Sequence, residues 1–146
     1  MPHKLLIAAE LIGEPVRGNQ IGVKLKVENI GDQDFEGKFD RIRLEFPQSV
    51  TELVPSLLPA LPVLKKGVPT TVGPVPFMLS DDGHSWLTVY ITSNDGQPIG
   101  YCQNREGPPL PEKRWLYPLY ITRSEDAQII ALLNEIAELL RGRSLG

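Results

Sequence analysis

Proline and glycine recur between short apolar runs along this chain, and a long helix cannot survive that interruption. Proline lacks the amide donor and its ring clashes with the preceding helical turn, while glycine is entropically costly inside a helix. The 14 prolines and 13 glycines are not gathered in one tail. A chain punctuated in this way is expected to fold as many short strands joined by turns. Its 146 residues, 41% apolar and 23% charged, suffice for one domain with a real hydrophobic core.

Side-chain alternation places the strands. Leu5, Ile7, Ala9 and Leu11 share one parity within residues 3–12. Ile21, Val23, Leu25 and Val27 alternate with Gly22, Lys24, Lys26 and Glu28, the cleanest one-face-wet pattern in the chain. Ile42, Leu44 and Phe46 oppose Arg41, Arg43 and Glu45, whereas Phe39 has the other parity, so a bulge is expected near Asp40. Pro55, Pro59 and Pro62 among Leu53, Val54, Leu57, Leu58 and Leu61 read as an apolar loop or short crossing strand. Lys65-Lys66-Gly67 reads as a turn. Residues 68–79 can be extended, but Pro69, Pro74 and Pro76 cannot donate to a ladder, which predicts an edge strand. Ser80 to Gly83 makes a turn before the β-branched and aromatic run Ser85 to Thr92. Asn94-Asp95-Gly96-Gln97 predicts a hairpin turn with Ile99 to Gln103 as the return strand. Residues 105–113 read as a loop, and Trp115 to Ile121 as a last strand or strap.

The chain then changes character. Ser124, or Thr122 with Glu125 as a capping box, can start a helix over residues 125–141 that Gly142 ends. Ile129, Leu132, Leu133, Ile136, Leu139 and Leu140 cover one broad face, opposite Asn134, Glu135, Glu138 and Arg141. That face can cap the sandwich or dock a second copy or another protein. The division expected is a β-sandwich domain over residues 1–123 and an amphipathic helix over 124–146, packed on it or on a partner.

Little in the sequence points to chemistry. In Asn29-Ile30-Gly31-Asp32-Gln33-Asp34-Phe35-Glu36-Gly37, acids on alternate positions before a glycine resemble half of a calcium loop. The twelfth position from Asp32 is Arg43, a cation where a bidentate carboxylate belongs, so the stretch is read as a turn. In that turn Gly31 and Gly37 would tolerate positive φ, and Asp32 would bond nearby amides. His3 and His84 are the only histidines and Cys102 the only cysteine, too few for a histidine- or thiol-rich metal site or an intrachain disulfide. His84 reads as a turn residue and Cys102 as a buried thiol. A hydrolase would need one of them in a cleft with a partner. No glycine cluster joins a strand to a helix as a phosphate loop would. Pro108-Pro109-Leu110-Pro111-Glu112-Lys113 matches a polyproline ligand pattern and also a stiff surface loop. Trp86, Trp115, Tyr117 and Tyr120 can pack in the core or form a sugar-binding platform. The net charge of −3 offers no electrostatic basis for nucleic-acid binding. The apolar run Leu5 to Ala9 is short for a signal-peptide core, and no run approaches membrane-span length. A soluble cytoplasmic protein is expected, unless the chain is part of a larger secreted one.

The run Val23-Lys24-Leu25-Lys26-Val27-Glu28-Asn29-Ile30-Gly31-Asp32 resembles the V-x-V-x-V-x-N-x-G strand and turn of bacterial immunoglobulin-like domains, including the CARDB type. Leu64-Lys65-Lys66-Gly67 followed by Thr71-Val72 is similar to their L-x-x-G-x-x-x-x-V segment. The resemblance spans about residues 20–103. The antibody-type cysteine pair is missing, and the terminal helix departs from the simple family pattern. The resemblance implies a binding or spacer module, with no catalytic residues to transfer. The expectation is therefore an immunoglobulin-like antiparallel β-sandwich of seven to eight strands with one C-terminal helix. It is expected to act as a non-enzymatic protein-interaction or accessory module, with a protein partner or a second copy, no nucleic acid, no membrane, no metal and no cofactor. A carbohydrate-binding module with exposed aromatics is the alternative.

Overall fold

A computed structural model describes residues 3–47, 49–51 and 58–144. Among the described residues eight strands precede one helix: β1 (His3–Ile12), β2 (Gln20–Asn29), β3 (Gly37–Phe46), β4 (Ser49–Thr51), β5 (Pro69–Met78), β6 (Gly83–Ser93), β7 (Ile99–Cys102), β8 (Trp115–Ile121) and α1 (Ser124–Ser144). They form two four-stranded sheets, ordered β5-β2-β1-β7 and β4-β3-β6-β8. Leu5, Val23, Leu25 and Phe77 of one sheet share a single core with Leu44, Leu87, Val89 and Ile121 of the other. The protein is a β-sandwich. With β7 set aside, strands one, two and five face strands three, four, six and eight, the division of an immunoglobulin-type Greek key.

The alternating patterns have the expected outcome. Ile21, Val23, Leu25 and Val27 of β2 are all buried. Glu28, expected on the wet face, is instead buried, and its carboxylate is held by Arg105, with Nη2 donating to Oε1 at 2.6 Å. The β3–β6 register shifts between Phe39 and Arg41, where the parity break predicts a bulge. The proline-bearing β5 lies at a sheet edge, as a strand short of donors must. Leu53, Val54, Pro55 and Leu57 lie outside the described residues.

Three expectations are corrected. The turn at 94–97 forms, but β7 does not return along β6. It crosses to the other sheet and runs parallel to β1, pairing His3 with Ile99 and Leu5 with Tyr101. Pro98 has no N–H to give a β6 ladder. Asp95 also draws the turn toward β1, with Oδ2 lying 2.8 Å from His3 Nε2. Secondly, α1 continues past Gly142 to Ser144, since one glycine in a last turn costs only about 1 kcal/mol. Thirdly, Gly31 and Gly37 are not among the positive-φ glycines. Gly37 is needed for space: a Cβ there would lie 2.3 Å from the Thr92 carbonyl oxygen and 2.6 Å from the Phe35 ring.

The loop from β2 to β3 is organised from its first residue. The Asn29 side chain is fully buried. Its Nδ2 donates to the carbonyls of Gln33 at 2.7 Å and Leu64 at 2.9 Å, while the Gly31 N–H donates to Oδ1 at 3.0 Å. Asn29, and not Asp32, therefore makes the side-chain turn. The Phe35 N–H donates to the Leu64 carbonyl and the Leu64 N–H to the Phe35 carbonyl, both at 2.9 Å. Phe35 is thereby drawn inward between Asp34 and Glu36, which stay exposed.

Candidate functional site

The helix leaves the sandwich with its apolar side uncovered. Ile129 (55%), Leu132 (58%), Leu133 (59%), Ile136 (51%), Leu139 (63%) and Leu140 (59%) all keep more than half their surface in water, as does the adjoining Ile130. Among the described residues no strand makes an extended contact with α1. The core is closed without it: Phe35, Phe77, Leu44, Leu79 and Tyr101 are fully buried. The helix therefore starts on a fixed post. The Thr122 N–H donates to the Pro15 carbonyl at 2.9 Å, and the Arg17 N–H donates to the Thr122 carbonyl at 2.8 Å.

A second surface lies on the outer face of the β4-β3-β6-β8 sheet. Odd-numbered β6 residues point into the core, so His84, Trp86, Thr88 and Tyr90 line the opposite face. The register sets Arg41 beside Tyr90, Arg43 beside Thr88 and Glu45 beside Trp86. On the other side it sets Leu116 beside Thr88, Pro118 beside Trp86 and Tyr120 beside His84. One end of the strip is aromatic: Trp86 is 42% and Tyr120 56% exposed, and Tyr120 meets the His84 ring edge-on at 5.1 Å. The other end is cationic. Arg41 lies over the Tyr90 ring at 4.4 Å. The Tyr90 hydroxyl accepts from Arg43 Nη2 at 3.2 Å and from Arg114 Nη1 at 3.0 Å.

Glu45 holds this cationic end together, accepting from Arg43 Nε at 2.8 Å with Arg114 Nη1 at 3.8 Å. Burial by itself would lower the Arg43 pKa, but the bonds to Tyr90 and Glu45 outweigh it and raise the guanidinium above its ordinary value. Arg114 is likewise raised, chiefly by its bond to Tyr90. Thr88 is fully buried, and its hydroxyl has no hydrogen-bond partner among the described residues.

Neither family models nor curated proteins match this chain.

The remaining candidates resolve as follows. Among the described residues no group of three or more His, Cys, Asp or Glu side chains could hold a metal ion. Asp34 instead accepts from the Lys66 N–H at 3.0 Å. His84 is the second residue of β6 and is not in a turn. Cys102 is buried, and that burial pushes its thiol pKa up. Trp115 is a core residue stacked on Tyr117 at 5.9 Å, which leaves Trp86 as the exposed tryptophan. The proline-rich segment is tied to β7 by the Leu110 N–H, which donates to the Tyr101 carbonyl at 2.7 Å. With Ile91, Pro98 and Ile99, residues Leu110 and Pro111 line an open cleft of about 460 Å³. Among the described residues no helix is long and apolar enough to cross a membrane.

Asp95 is the most strongly perturbed acid. Its carboxylate accepts from the Ser93 hydroxyl and from the Gln97 N–H at 3.0 Å, and it faces His3 at 2.8 Å. These contacts, Ser93 first, hold its pKa at about 2. The arginine and tyrosine cluster carries no local sequence signature, since its members come from three separate segments. The alternation of Trp86 with Leu87 and Val89 is the one signal that Trp86 faces outward.

Proposed function

We propose that this protein is a non-enzymatic interaction module, cytoplasmic, that pairs with a second copy of itself through α1. The observation that carries this reading is the uncovered apolar face of the helix beside a core that closes without it. Ile129, Leu132, Ile136 and Leu139 are spaced 3, 4 and 3 residues apart, the a/d spacing of a coiled coil. Isoleucine at a with leucine at d favours a parallel two-stranded pair. Each of the six half-exposed side chains gains about 1 kcal/mol when covered. A symmetric pair thus gains roughly 12 kcal/mol before an association cost of at least about 4 kcal/mol, which places the dissociation constant at micromolar or weaker. Light-scattering mass should rise with concentration toward that of a dimer. Leu132→Glu and Leu139→Glu, which place a charge at the two d positions, should keep the unfolding midpoint of the sandwich and remain monomeric. A native chain that stays monomeric up to about millimolar concentration, or variants that associate as the native chain does, would refute the reading.

A second reading is favoured by Trp86 and Tyr120, two exposed rings on one rigid sheet face. Flat rings offered side by side on strands suit the apolar faces of sugar rings. On this reading the module is carbohydrate-binding.

A further inference from the structure

The strip across β3, β6 and β8 is chemically polar from one end to the other, and that polarity restricts what can lie on it. Trp86, Pro118, His84 and Tyr120 supply ring and apolar contact at one end. Arg41, Arg43 and Arg114 converge on Tyr90 at the other, where Glu45 bonds Arg43 and Asp40 Oδ2 lies 3.8 Å from Arg41 Nε. A phenol oxygen that already accepts two guanidinium bonds has its own proton left to donate. The cationic end therefore presents N–H and O–H donors. Arg41 and Arg114 are 49% and 42% exposed, so both are reachable from solvent. A neutral ligand would offer these donors only neutral acceptors, whereas an oxyanion would take stronger, charge-assisted bonds from them.

We infer that the strip binds an oligosaccharide bearing an acid group, carboxylate or sulfate, with the acidic sugar at the Arg41–Tyr90–Arg114 end and an adjoining ring on Trp86. This rests on the carbohydrate-binding reading and gives its ligand a charge and a direction. A nucleic acid strand fits less well. It carries phosphate along its whole length and calls for cations that track it, whereas the cations here occupy one end. Tyr90 and His84 are six residues apart on one extended strand, so the strip is about 20 Å long, room for a short oligosaccharide.

The test is titration of the full chain with four probes: a uronic-acid oligosaccharide, its sulfated counterpart, the neutral oligosaccharide of equal length, and a single-stranded oligonucleotide. Binding is read by calorimetry and by tryptophan emission. At least one acidic sugar should bind about tenfold more tightly than the neutral one, and Arg41→Ala or Arg114→Ala should remove that advantage. Trp86→Ala should weaken the acidic and neutral sugars alike. Unchanged unfolding midpoints would show that each variant keeps its fold. Equal affinity for neutral and acidic sugars, lost in Trp86→Ala and untouched by the arginine variants, would overturn the acid assignment and keep the carbohydrate reading. No binding to any sugar would overturn both. Binding to the oligonucleotide alone would also overturn both, in favour of a nucleic acid.

Discussion

Asn29→Ala removes one side chain on which three backbone groups converge. Nδ2 supplies a second donor to the Leu64 carbonyl, which keeps the Phe35 N–H at 2.9 Å, so that loss is partly covered. The Gly31 N–H loses its acceptor, and the Gln33 carbonyl loses a 2.7 Å bond. At about 1 kcal/mol for each bond, and more for an amide left buried without a partner, the cost is roughly 3 kcal/mol. With a urea dependence of about 2 kcal/mol per molar, the unfolding midpoint should fall by roughly 1.5 M. Asn29→Asp is the sharper probe. It keeps an acceptor for Gly31 but turns two donors into a carboxylate oxygen facing two carbonyls. Burial there raises the folded pKa of the acid above its unfolded value. The deficit of this variant should therefore be greatest at pH 7 and shrink as pH falls through the raised folded pKa toward about 4. An Asn29→Ala midpoint within about 0.5 kcal/mol of the native chain would refute the reasoning, as would an Asn29→Asp deficit that does not change between pH 7 and pH 4.

Thr88→Val keeps the shape of the side chain and removes a buried hydroxyl that lacks a partner. It should raise the thermal midpoint by about 2–4 °C, a gain of about 1 kcal/mol, and a fall in the midpoint would show that the hydroxyl is bonded. Asp95 has a folded pKa of about 2, below its ordinary 3.8. Its contribution is therefore complete above the ordinary value and is lost as pH falls through about 2. The stability advantage of the native chain over Asp95→Asn should hold at pH 5 and vanish near pH 2 in thermal melts; an advantage independent of pH would assign it to something other than the carboxylate's charge.

The strands were legible because burial on one face writes a period of two into the sequence. Ile21 to Val27 show it, and the broken parity at Phe39 marks a bulge for the same reason. Prolines placed β5 at an edge because a missing donor is a local fact. Pairing partners are not local. Nothing in Ile99 to Cys102 says that the neighbour is β1, more than ninety positions away in the register. The cluster around Tyr90 was hidden for a related reason: Arg41, Arg43 and Arg114 meet only once β3 and β8 flank β6. The helix was readable as a helix with an apolar face, but periodicity does not report what covers a face, so its exposure had to come from the structure.

Thr122, clamped to Pro15 and Arg17, leaves only Arg123 between the sandwich and the start of α1. A dimer made through the helices would accordingly carry its two aromatic strips at a separation set by rigid elements and not by a tether. A glycan long enough to reach both would meet the second strip as an intramolecular event, and its apparent affinity would rise by about 10²–10⁴. A shorter glycan of the same composition would gain nothing, so chain length alone would decide which polymers the protein retains.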